Sequence, residues 1–208
     1  MKIKKLISSL LVTFLFTFIS SSLVYPKSFW PPELNKEFPD VELIDQNGSK
    51  LRISDFQGSV LLIEYIGMNC PACQAFSGAN TKIGPYQNNG VQKGLKSIKE
   101  YCPLYANGVS LTDDEITYIQ ILLYDMKLGS PGLEDAKKWA KHFRFDSAKR
   151  EFVTVPTKDL RGNASYNLIP GFQLVDKNFV LRSDSTGHNP RHNLWKTLLP
   201  MVSKLMEE

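Results

Sequence analysis

Residues 60–66, Val-Leu-Leu-Ile-Glu-Tyr-Ile, form an apolar run broken by one carboxylate, and Cys70-Pro71-Ala72-Cys73 follows shortly after. A short apolar run of this kind reads as a buried strand. Gln74-Ala75-Phe76 can continue as a helix beyond the second cysteine. A strand that feeds a C-x-x-C at a helix start restricts the chain to a sheet covered by helices. It also places two thiols within one helical turn, close enough to close a disulfide.

That spacing has a chemical reason. Only a thiolate attacks a disulfide, and an ordinary cysteine is about 3 % thiolate at pH 7. Cys70 at a helix N-terminus is favoured as the anion by the backbone N–H groups and the dipole. Pro71 costs nothing at the first helical position, where its missing N–H would go unused. Cys73, one turn deeper on the same face, can resolve a mixed disulfide formed at Cys70. Glu64 sits among apolar neighbours, where a charge is costly to bury. An inward-facing carboxyl there has a raised pKa and can move a proton to or from Cys73. The alternative is a Glu64 that faces solvent at the sheet surface.

Other uses of the cysteines fit less well. The chain has three cysteines, too few for a structural disulfide framework, and the count leaves Cys102 over. A zinc site needs four ligands, and no second C-x-x-C exists to complete one. Cys102 with His142, His188 or His192 could complete one, but Cys102 reads better as a core thiol on the inner face of its helix. A purely structural disulfide adds little, because the loop it closes is so short. No metal and no cofactor are therefore expected.

The N-terminus reads as a targeting segment. Lys2, Lys4 and Lys5 precede an apolar stretch, residues 6–19, and Ser20 and Ser22 supply small residues for cleavage. Residues 1–22 are thus expected to be a signal peptide. The rival reading is an uncleaved membrane anchor, since residues 6–25 carry no charge. Both readings place the folded part in the periplasm or another extracytoplasmic space, in the second case held at the inner membrane, where disulfides persist. Without the three lysines, the formal charge of +4 falls to +1, and nothing implies a nucleic-acid partner.

Residues 23–35 form a Pro- and Lys-bearing lead-in, and residues 36–208 suffice for one domain. Residues 41–44 and 49–53 flank Gln46-Asn47-Gly48, a hairpin signal because Asn and Gly tolerate positive φ. Val91, Leu95, Ile98 and Cys102 fall at helical spacing and predict a short helix. Residues 116–124 suit a second buried strand, although Thr112-Asp113-Asp114-Glu115 before it mimics a helix cap. Leu133, Ala136, Trp139, Ala140 and Phe143 define an amphipathic helix. Residues 152–155 suit a short strand, and residues 171–175 and 179–182 a second hairpin. Asn189-Pro190 looks like the start of the last helix, with Pro200 kinking it. Strands alternating with helices, with terminal hairpins, argue an α/β fold with a mixed sheet.

These residues resemble a known family. Phe38-Pro39-Asp40-Val41-Glu42-Leu43, Asn47-Gly48, Leu51, Gly58 and the strand into the two cysteines are similar to the secreted thioredoxin-like redoxins of the TlpA/ResA branch. Residues 169–178, Ile-Pro-Gly-Phe-Gln-Leu-Val-Asp-Lys-Asn, resemble that family's cis-proline loop and following hairpin. The resemblance implies a thioredoxin-like fold, a central mixed sheet flanked by helices, with an N-terminal hairpin extension and an insertion at about residues 80–115. It implies a thiol–disulfide oxidoreductase acting on protein thiols or disulfides, with Cys70 and Cys73 as the redox-active pair and a second redox protein as partner. Pro170 would be the cis-proline, Ile169 would offer backbone hydrogen bonds to substrate, and Glu64 would be the buried acid. The chain departs from the pattern in carrying Asn69 where the family usually has Trp, and Pro71-Ala72 where Pro usually stands second, which leaves the direction of electron flow open. Two alternatives share the fold. A peroxiredoxin-like peroxidase would need Thr where Gly67 stands, and a copper carrier of the Sco type has three residues between its cysteines, against two here.

Overall fold

The strand that carries Glu64, β3 (Val60–Gly67), lies inside the sheet of the computed structural model, which describes residues 30–208. All eight of its residues are buried, which is why its sequence is nearly continuous in apolar side chains rather than alternating. Six further strands join it: β1 (Glu42–Asp45), β2 (Lys50–Arg52), β4 (Ile116–Tyr124), β5 (Glu151–Pro156), β6 (Gly171–Val175) and β7 (Leu181–Thr186). The order is β2-β1-β5-β4-β3-β6-β7, with β3, β4 and β5 parallel and the remaining pairs antiparallel. The expected mixed α/β sheet is present.

Parallel neighbours need crossovers, and these carry the helices. β3 reaches β4 through α1 (Pro71–Ser77) and α2 (Ile98–Tyr105), and β4 reaches β5 through α3 (Leu133–Phe143). Successive right-handed crossovers in one direction put α1 and α3 on the same face. Gln120 of β4 records this, bonding Ser77 of α1 and Trp139 of α3 together. β6 lies on the other side of β3, so the short α4 (Asn163–Tyr166) before it falls on the opposite face. There Trp30 meets Tyr65 edge-on, with ring centroids 5.8 Å apart, and donates to Ser165 of α4.

Local chemistry sets several boundaries differently from the sequence expectations. Residues 91–97 are not helical, and α2 begins only after Ser97, whose hydroxyl and Glu100 form a reciprocal cap. The similar Thr112–Glu115 stretch is a turn, because β4 begins immediately after it. In the first hairpin only Gly48 takes positive φ, and Asp45 Oδ1 braces the turn by accepting from the N–H groups of Asn47 and Ser49. The second hairpin's outer strand starts at Leu181 rather than 179, because Phe179 takes φ 67° in the turn. Asn189-Pro190 does not start the last helix. Asn193 does, its side chain accepting from the N–H groups of Trp195 and Lys196. A π-helical turn, Leu194–Leu198, runs directly into α5 (Leu199–Glu207), and Pro200 sits at the junction of the two helical repeats. The expected kink is a change of helical repeat.

Gly171 opens β6 opposite Thr186. A Cβ there would lie 2.4 Å from Thr186 Cα and 2.5 Å from the Leu168 carbonyl, so only glycine lets this strand close against the loop before it. That loop carries Ile169 and Pro170, joined by a cis peptide. The proposed signal peptide, and the lead-in before Trp30, lie outside the described residues. Among the described residues no helix is long and apolar enough to cross a membrane.

Candidate active site

The end of β3 and the start of α1 put the two thiols in unlike surroundings. Cys70 is the N-cap of α1 with Pro71 at the first helical position, and its sulfur accepts from the Cys73 N–H at 3.4 Å. Cys70 is partly exposed, Cys73 is fully buried, and both thiols are free. The Cys73 thiol lies 3.8 Å from the Tyr65 carbonyl and can give its hydrogen there or to Cys70. A hydrogen bond from the Cys73 side chain, helped by the N–H groups of Cys73 and Ala72, lowers the Cys70 pKa to about 6 despite desolvation. Burial first, and then the neighbouring Cys70, push Cys73 well above the ordinary thiol value. The outer sulfur is thus the ready nucleophile and the inner one is held protonated.

This asymmetry is measurable. Alkylation of Cys70 by iodoacetamide should rise through a midpoint near pH 6, with about 90 % thiolate at pH 7. Cys73→Ala should move that midpoint up by about one unit, since the largest contribution comes from the Cys73 side chain, whereas Cys73→Ser keeps a donor and should move it less. Equal midpoints in both variants would contradict the assignment.

Glu64 faces inward, fully buried, directly across from Gln120 of β4 and Phe172 of β6. Its Oε2 accepts from the Tyr118 hydroxyl and from Gln120 Nε2, the latter at 2.7 Å. Burial raises its pKa to about 8, against the lowering effect of those two donors, and Cys70 adds to the rise. The charge of Glu64 in turn helps raise Cys73. Sequence reasoning passed over Tyr118 and Gln120. Gln120 carried the same signal as Glu64, a polar side chain inside an apolar strand.

The cis-proline loop borders the cysteines. A Cβ placed on Gly67 would lie 3.7 Å from both Cys70 Cβ and Ile169 Cδ1. The Ile169 N–H donates to the Tyr166 carbonyl, so of that residue's two backbone groups only the carbonyl is left without a backbone partner among the described residues. A groove of about 310 Å³ is lined by Ala72, Phe76, Leu95, Pro170 and Trp195 among others. Gln92 and Leu95, from the segment between α1 and α2, belong to its lining. Gln92 N–H donates to the Pro71 carbonyl at 3.0 Å, and Asn89 Nδ2 to the Asn69 carbonyl at 2.9 Å.

Cys102 stays apart. It is fully buried on the inner face of α2, and burial pushes its thiol up to about 12. His192 Nδ1 is 3.0 Å from Ser183 Oγ, and His142 Nε2 is 3.0 Å from the Gly84 carbonyl. Among the described residues no group of three or more His, Cys, Asp or Glu is arranged to hold a metal.

No family model matches the chain, and no curated protein sequence does. Solved structures do. The thioredoxin domain of a thiol-disulfide oxidoreductase from Bacteroides vulgatus matches with a TM-score of 0.51 at 17 % identity, over 82 % of this chain and 98 % of that one. A thiol:disulfide interchange protein from a Bacteroides species matches with a TM-score of 0.51 at 16 % identity, over 85 % of this chain and 92 % of that one. An uncharacterized conserved protein from Geobacillus kaustophilus matches with a TM-score of 0.54 at 15 % identity, over 84 % of this chain and 82 % of that one. Across nearly its whole described length, this chain has a thioredoxin-like fold.

Proposed function

We propose that the protein is an extracytoplasmic thiol–disulfide oxidoreductase that exchanges disulfides with protein cysteines through Cys70 and Cys73. The observation that carries this reading is the contrast between the two thiols on one helical turn, a partly exposed Cys70 with a depressed pKa and a buried Cys73 with a raised one. The names of the structural neighbours from the Bacteroides agree with it.

In the oxidised-substrate direction, the Cys70 thiolate attacks one sulfur of a substrate disulfide. The Cys70–substrate S–S bond forms, the substrate's own S–S bond breaks, and one substrate thiolate leaves and takes a proton. Cys73 then loses its proton to the carboxylate form of Glu64, the minor form below its midpoint near pH 8 and the major one above it, and attacks the Cys70 sulfur. The Cys70–Cys73 disulfide forms, the second substrate thiolate departs, and the substrate is reduced by two electrons. The reverse sequence oxidises a dithiol. Ile169 and Pro170 border the attacked bond, and the groove beside them receives the flanking polypeptide. A second redox protein resets the pair. Residues 1–22 act as the signal peptide or anchor that delivers the domain, residues 36–208, to a compartment where the exchange is needed.

The test is turnover of a protein disulfide such as insulin, coupled to glutathione. The wild-type chain and Cys102→Ser should both be active, because Cys102 lies buried with a raised pKa. Inactivity of the wild type, or dependence on Cys102 equal to that on Cys70, would contradict the proposal. Stoichiometric copper on the reduced protein without exchange, or steady peroxide consumption, would favour the copper carrier or the peroxidase.

A further inference from the structure

The buried polar cluster around Glu64 reaches beyond the active-site helix to α3, and its hydrogen-bond directions follow from one fixed donor. Trp139 Nε1–H can only donate, and it does so to Gln120 Oε1 at 2.9 Å. That contact sets which end of the Gln120 amide is oxygen. The Nε2 end must then face the other way, toward Glu64 Oε2 at 2.7 Å, Ser77 Oγ at 2.9 Å and Tyr118 Oη at 3.0 Å. Tyr118 and Gln120, two residues apart on β4, present their side chains on one face, and the Tyr118 hydroxyl adds a second donor to the same Glu64 oxygen. Glu64 Oε1, fully buried, has no hydrogen-bond partner among the described residues.

We propose that Tyr118 and Gln120, with Trp139 locking the amide, position Glu64 so that Oε2 is always an acceptor and Oε1 alone exchanges a proton with Cys73. The inference rests on the exchange reading above and assigns the acid's partners within it. A proton on Oε2 would meet the two hydrogens already directed at that oxygen, so protonation falls on Oε1. Tyr118, Gln120 and Trp139 are positioning residues, since none of them touches the reacting sulfurs. The titratable groups around Glu64 are Cys70 and Cys73 from α1 and Tyr118 from β4, with Glu151 of β5 acting on Tyr118. Phe172 of β6 and Trp139 of α3 bring no charge.

The test follows the Glu64 carboxyl directly, by infrared or carbon-13 NMR titration of the reduced protein, alongside the pH profile of mixed-disulfide resolution. Tyr118→Phe, nearly isosteric, should raise the Glu64 midpoint by roughly one pH unit, the size expected for one lost hydrogen bond to a charged acceptor. Trp139→Phe leaves Glu64 untouched but frees the amide, and should move the same midpoint upward by a smaller amount. The resolution profile should follow in both. Loss of stability in either variant with an unmoved midpoint means a packing role only and overturns the proposal. The two readings separate cleanly. Shifted carboxyl midpoints without any disulfide exchange would sink the exchange reading, whereas normal exchange with unmoved midpoints would sink the positioning role.

Discussion

Glu64→Gln is expected to make the reduced protein more stable than the wild type at pH 8 and to lose that advantage near pH 4. The folded chain holds Glu64 protonated up to about pH 8, whereas the unfolded chain releases that proton near 4.5. Below 4.5 the carboxyl is neutral in both states and contributes no pH dependence. Between 4.5 and 8 only the unfolded state gains by ionising, so the wild type loses stability as pH rises. Above 8 both states are ionised and the difference levels off. The gap between variant and wild type should therefore widen by on the order of 4 kcal/mol across this window, while any cost of an unpaired N–H in the new amide offsets the gap equally at every pH. Denaturant unfolding of both proteins at a series of pH values measures it, and subtracting the curves removes the other titrating groups. A gap independent of pH would mean that burial does not hold this carboxyl neutral. Retention of so costly a group in the middle of β3 is what a proton carrier requires and a packing residue does not.

The second large effect concerns the two thiols. Cys70→Ser should lower exchange with a protein disulfide by at least about a thousandfold, because a serine hydroxyl is no nucleophile at neutral pH without a base to activate it. Cys73→Ser should differ in kind. Cys70 keeps its depressed pKa and its exposure, so the first attack proceeds, but no thiol remains to release the product. Turnover should stop after one equivalent of leaving thiol. Equal single-turnover bursts from both variants would contradict the division of labour between the outer and inner sulfurs.

Much of the site was legible because its signals are local. A carboxylate in an apolar strand, a helix-start proline between two cysteines, and an Ile-Pro-Gly before a hairpin all occupy a few consecutive residues. β3, β4 and α3 were legible for the same reason, since their burial patterns are written along single elements. What escaped depends on register. Tyr118 reads as an ordinary strand aromatic until the parallel pairing sets Gln120 opposite Glu64 and brings Tyr118 onto the same face. Trp139 reads as the core residue of an amphipathic helix, and its N–H finds Gln120 only through the crossover. The helix expected to include Val91 failed because apolar spacing outweighed the cap at Ser97. The last helix was misplaced because Asn189-Pro190 and Asn193 offer rival starts, and only the latter's side chain reaches the helix N–H groups.

The central claim is that Cys70 attacks and Cys73 resolves, and the intact mass of Cys73→Ser after incubation with a disulfide-linked peptide tests it most directly. The account predicts one peptide added per chain, released by dithiothreitol, and mapped by proteolysis to Cys70. Absence of the adduct at neutral pH, or its location on Cys102, would contradict the account.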